Sequence, residues 1–103
     1  MEEKKTIILD LTDCKYLWEL HERIRVAFDF PEWYGANLSA FDDLMETECD
    51  ADEVKIIGSF TMTDELQKYM DKIVAILDRV VKERKYYSSL YAHIKPFSYR
   101  IDS

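Results

Sequence analysis

The chain has little of the residues that break or staple a fold: two glycines, two prolines and two cysteines among 103 residues. With so few breakers, 48% hydrophobic content and 14% aromatic content, a disordered or low-complexity chain is excluded. The length suits one compact domain, expected to run over residues 1–103. Cys14 and Cys49 are too few and too far apart for a disulfide framework or a zinc site, and they read as reduced thiols. No run approaches the roughly 18 apolar residues that a membrane span requires. The start, MEEKKTIILDL, mixes acids with lysines and lacks an apolar core of signal length. A cytoplasmic location, away from membranes, is the expectation.

Positive charge is missing from one long stretch. Between Arg25 and Lys55 there is no Lys or Arg, while nine acids occur: Asp29, Glu32, Asp42, Asp43, Glu46, Glu48, Asp50, Asp52 and Glu53. The net charge of −7 is therefore regional, because the other acids are nearly balanced by the 14 bases. An acidic stretch repels a phosphate backbone, which argues against direct nucleic-acid binding. It suits a partner protein with a basic surface.

Apolar spacing supplies the elements. TIILDL (6–11) reads as a strand buried on both faces. Asp13 reads as the N-cap of a first helix over about 14–28, with Leu17, Leu20, Ile24, Ala27 and Phe28 at helical spacing. Asn37 caps a second helix over about 38–48, with Leu38, Phe41, Leu44 and Met45 on one side and Ser39, Asp42, Asp43 and Glu46 on the other. VKIIGSF (54–60) is a second strand. A long helix follows from the Thr63–Asp64 cap to about Lys85, and a last strand is expected within SLYAHIKPF (89–97). The order β-α-α-β-α-β predicts an α/β fold, a small three-stranded parallel sheet packed against helices.

Catalytic chemistry finds little support. His21 and His93 have no partners at ligand spacing, Ser39 and Ser59 lack a nucleophile turn, and Gly58 stands alone without a phosphate-loop pattern. No enzyme activity, cofactor or metal is expected. A lone helix face bearing Asp42, Asp43 and Glu46 supplies too few converging oxygens for a hard cation. It reads either as a solvated surface or as a contact for a cationic partner. The second reading gains from the absence of Lys or Arg at i±3 or i±4, which leaves like charges facing each other along the helix. Trp33 and Tyr34 suit either the end of the core or a binding loop. Gly35 is expected to supply a positive-φ turn before Asn37.

The segment FPEWYGANLSAFDDLM resembles the signature of the barstar family, intracellular inhibitors of the ribonuclease barnase. Pro31, Glu32, Trp33, Tyr34, Gly35, Asn37, Leu38, Ala40 and Asp43 match, and Phe41 replaces another apolar residue. The resemblance implies a parallel sheet covered by helices, and a helix with its preceding loop that enters a ribonuclease active site. It places Asp43 at the phosphate position, Trp33 as a contact aromatic, and Gly35 and Asn37 as turn and cap. Ser39 and Asp42 stand where the family has a second binding aspartate and an exposed tryptophan. Arg79 falls near a binding glutamate. The implied contact set is Trp33, Tyr34, Gly35, Asn37, Ser39, Asp42, Asp43 and Glu46, on a chain that is a monomer when free. A general acidic interaction or regulatory module on the same fold is the alternative.

Overall fold

The computed structural model describes residues 4–102, so residues 1–3 and 103 of the expected single unit lie outside it. The elements run β1 (Thr6–Asp10), α1 (Leu17–Phe28), α2 (Leu38–Thr47), β2 (Glu53–Ile57), a 3₁₀ turn (Ser59–Thr61), α3 (Asp64–Leu90) and β3 (Ser98–Asp102). The strands form one parallel sheet in the order β1-β2-β3, with Ile7 opposite Val54 and Val54 opposite Tyr99. This is the α/β arrangement that the alternation of strands and helices implied.

Only one face of the sheet is covered. Ile7 and Leu9 of β1 and Val54 and Ile56 of β2 are buried, whereas Ile8 between them is 57% exposed. The expectation of a first strand buried on both faces is therefore corrected. A β-branched run in a parallel sheet usually has helices on both sides, but here all the buried alternation points one way. Lys4 and Arg100 flank Glu53, and Lys55 pairs with Asp102, so the open side is polar.

The second strand, expected over 54–60, stops at Ile57, because Gly58 turns the chain into the 3₁₀ turn; three other boundaries also differ for local reasons. Asp13 does not cap α1: it takes a left-handed conformation (φ 59°) and donates its N–H to Thr61 Oγ1 at 2.9 Å. The helix starts later, with Tyr16 at the cap position and no side-chain cap; Glu19 instead accepts from the N–H of Lys15. α3 continues past Lys85 to Leu90, because no breaker intervenes even though its last buried residue is Val80. Ser88 and Ser89 bond back to the carbonyls of Lys85 and Tyr86. The last strand lies after Pro96, at Ser98–Asp102, and not within 89–97. Phe97, which was assigned to that strand, plugs the core just before it.

α3 carries the core. Leu66, Met70, Ile73, Leu77 and Val80 make its buried stripe, and Thr63 Oγ1 caps it by accepting from the N–H of Leu66. Twenty-seven residues at 1.5 Å per residue give about 40 Å, close to the molecule's longest extent of 41 Å. Gly58 ends β2 with φ +75°, and a Cβ there would collide with the backbone of Thr12, so only glycine fits.

Candidate partner-binding face

The loop 29–37 and α2 form one unit, built on aromatic packing. Phe28 and Phe30 pack on Phe41, and Phe30 also packs on Tyr34, with ring centroids 5.2–6.4 Å apart across the cluster. Phe41 is fully buried, as its place on the apolar side of α2 predicted. Tyr34 is buried too, at 8% exposure, so of the two loop aromatics it plugs the core while Trp33 projects at 72%.

Under the loop lies a buried histidine. His21, 1% exposed, holds the hydroxyl of Tyr34 at its Nδ1 and that of Tyr69 at its Nε2, both at 2.7 Å. Tyr34 has no other acceptor among the described residues, so its O–H donates to Nδ1. The imidazole proton then sits on Nε2 and is given to Tyr69. Burial lowers the His21 pKa below its ordinary 6.5, and burial, then the charge of Tyr69, raises that of Tyr34. Spacing along α1 puts His21 beside Leu17 and Ile24 of the apolar stripe. Its two tyrosine partners are 13 and 48 residues away, beyond the reach of any local pattern.

Asn37 joins loop to helix. Its Oδ1 accepts from the N–H of Ala40 at 2.8 Å, and its Nδ2 donates to the carbonyl of Gly35 at 3.2 Å. The positive-φ residue of the turn is Ala36 (φ 53°), not Gly35 as expected. Gly35 has a steric reason instead: a Cβ there would lie 3.2 Å from that of Ala40. The loop is thus fixed at Tyr34 from below and at Asn37 from the helix.

The outer side of α2 exposes Ser39, Asp43 and Glu46, with Asp42 half-buried. The acids lack counter-ions on their own helix, but α3 supplies one. Arg79 donates from Nη1 to Asp42 Oδ2 at 2.9 Å and from Nη2 to the other carboxylate oxygen, and Nη2 lies 3.5 Å from Glu46. This hydrogen bonding holds the Asp42 carboxyl below its usual range. Asp43 has no donor to its carboxylate among the described residues. Further along, Lys5 pairs with Asp50 and Lys4 with Glu53, so the acidic stretch is not one bare patch. No group of three or more His, Cys, Asp or Glu among the described residues is placed to hold a metal ion, and no described helix is long and apolar enough to cross a membrane.

Both cysteines are buried and free. Cys14 precedes α1 and so lies outside the first turn whose dipole would favour a thiolate; burial raises the pKa of both.

The model of the family described as Barstar (barnase inhibitor) matches residues 4–93, which includes the whole loop–helix unit. The chain belongs to the barstar family. Within it, the chain is similar to a Bacillus subtilis (strain 168) protein named "Putative ribonuclease inhibitor YrdF". The two are 27% identical over 82 residues, covering 79% of this chain and 90% of the relative. The matched barstar region takes in β1 through α3 and stops before β3.

Proposed function

We propose that the chain is a cytoplasmic protein inhibitor of a ribonuclease or a related basic toxin. It binds one to one, blocks the enzyme's active site with α2 and the loop before it, and catalyses nothing itself. The observation that carries this reading is the split within residues 31–43. Tyr34 and Phe41 are sunk in the core, while Trp33 and the unpaired Asp43 are left to solvent. An exposed tryptophan on an anchored loop suits a contact residue, since little entropy remains to be lost on docking. A carboxylate without a counter-ion suits a cationic, phosphate-binding pocket. The barstar-family match and the name of the B. subtilis relative supply the class of target. Trp33, Ser39, Asp42, Asp43 and Glu46 are the proposed contacts; Tyr34, Gly35 and Asn37 serve by holding the loop.

The test has two arms. The immobilised chain is exposed to lysate of its own source at low and high salt, and purified barnase is titrated with it in an RNA-cleavage assay. A captured ribonuclease or basic toxin, neutralised at a one-to-one ratio, is the expected result. Asp43→Ala should fold normally, with stability within about 0.5 kcal/mol of the parent. It should lose roughly 2–5 kcal/mol of binding, because the partner's cations are left buried without a counter-charge. Capture of no such enzyme under any salt condition, together with no inhibition of barnase, would sink the reading.

A further inference from the structure

Two of the three acids of α2 are already engaged by the chain itself. Asp42, Asp43 and Glu46 are the acids of α2, and Arg79 of α3 reaches two of them. The Asp42 contact is two-pronged, with both terminal guanidinium nitrogens on the two carboxylate oxygens. Glu83, one turn along α3, lies 3.4 Å from Arg79 Nε and steadies the guanidinium from behind. A planar fork of this kind is geometrically demanding and is not reproduced by a point charge. Arg84 donates to the carbonyl of Cys49 at 3.1 Å, which adds a second tie between α3 and the segment after α2.

We propose that Arg79 is a specificity-determining residue: it screens Asp42 and Glu46 from an approaching cation and leaves Asp43 as the one acid of α2 without a cationic partner among the described residues. The inference rests on this face being the partner-binding one. A partner that spreads its cations along the helix meets a fixed positive charge at Arg79 and must break the fork to reach Asp42. A partner whose cations converge on one point near Asp43 meets no such obstacle. Discrimination comes from the repulsive element as much as from the attractive one.

The experiment uses two probes, a hexa-arginine peptide and barnase, at low salt. The variants are Arg79→Gln, Asp42→Asn, the double variant, and Arg100→Gln, which removes an equal charge from the open sheet side. Arg79→Gln should bind hexa-arginine roughly threefold or more tightly than Arg100→Gln does, as expected when a screening charge leaves the contact face. Asp42→Asn should change little in the parent but cancel most of the gain in the Arg79→Gln background. Arg79→Lys, which keeps the charge without the fork, should fall between parent and Arg79→Gln. Urea midpoints identify any variant that has lost its fold, and Arg79→Lys then carries the comparison. Equal binding by Arg79→Gln and Arg100→Gln, or an Asp42→Asn effect of the same size in both backgrounds, would overturn the masking. Failure of every variant to bind barnase, with the hexa-arginine cycle intact, supports the masking and counts against barnase-like targets alone.

Discussion

Tyr34→Phe removes one oxygen atom from the centre of the loop's support, and its cost follows from the hydrogen bonds around His21. The hydroxyl is buried and donates to His21 Nδ1 at 2.7 Å. Without it the nitrogen is an acceptor sealed from water, and a buried polar group left without a partner costs about 1–3 kcal/mol. Packing barely changes, since the ring stays against Phe30. Tyr69→Phe should cost less, about 0.5–1.5 kcal/mol, because Tyr69 is half-buried and water can replace its oxygen at Nε2. The decisive variant is His21→Leu with Tyr34→Phe. It removes both partners, so much of the penalty should vanish, and the double variant should be more stable than the summed single losses by about 1 kcal/mol or more. Urea unfolding monitored by circular dichroism reads this directly, as midpoints at unchanged slope. Additive losses, or a Tyr34→Phe variant within 0.3 kcal/mol of the parent, would refute the buried His21–Tyr34 hydrogen bond.

The same histidine sets an acid limit. Its folded pKa lies below the ordinary 6.5, so below pH 6.5 the unfolded chain binds the extra proton first. The stability that neutral His21 contributes is therefore complete above pH 6.5 and declines as the pH falls towards the folded value; His21→Leu should flatten that part of the stability–pH curve. Asp42, held below its ordinary 3.8 by Arg79, contributes stability above that pH and loses it in stronger acid, so Arg79→Gln should weaken the drop below pH 4. Phe41→Ala should cost about 3–5 kcal/mol of stability, as for any fully buried aromatic. Association with a basic partner should slow steeply as salt rises, since the Debye length shrinks from roughly 10 Å at 0.1 M to about 3 Å at 1 M; a salt-independent on-rate would place the acids of α2 outside the contact. Mass spectrometry without reductant should find both thiols free, and dithionitrobenzoate should label them slowly in the folded state, because burial raises both pKa values.

What could be read from the sequence was what local chemistry decides. Asn37 announced α2 because a cap bonds to the backbone three residues on, and Phe41 declared its burial through the apolar spacing of Leu38, Leu44 and Met45. The end of α3 could not be read, because its stripe stops at Val80 while the backbone continues through Tyr86, Tyr87 and Leu90 with those side chains in solvent. β3 is an edge strand reading Ser-Tyr-Arg-Ile-Asp, whose alternation rests on Tyr99 and Ile101 alone, too short a signal beside the longer apolar run just before it. Asp13 has the chemistry of a cap, but hydrogen bonds from Thr12 and Asp13 to Asp10 and Thr61 hold a turn there and delay the helix. At the site, the contacts that matter are non-local: Arg79 reaches Asp42 across 37 residues and His21 reaches Tyr69 across 48. Of the acids of α2, Asp42 and Glu46 were bare only along their own helix.

The loop–helix unit divides its residues by task, and the division has a consequence for recognition. Tyr34 and Phe41 are core, Gly35 is pressed against Ala40, and Asn37 bonds in both directions, so each answers to the fold. Substitution at any of them should cost stability, whatever the partner. Trp33, Ser39 and Asp43 face solvent without a side-chain partner among the described residues, and Asp42 and Glu46 meet Arg79 across the α2–α3 surface with all three groups partly open to water. Exposed ion pairs contribute little to stability, typically under 1 kcal/mol. These positions are therefore free to change with the target while the frame beneath them stays intact. Pro31, Tyr34, Gly35, Asn37 and Leu38 report that the chain has the barstar frame. On the proposed function, the shape and charge of the partner are met at positions 33, 39, 42, 43, 46 and 79.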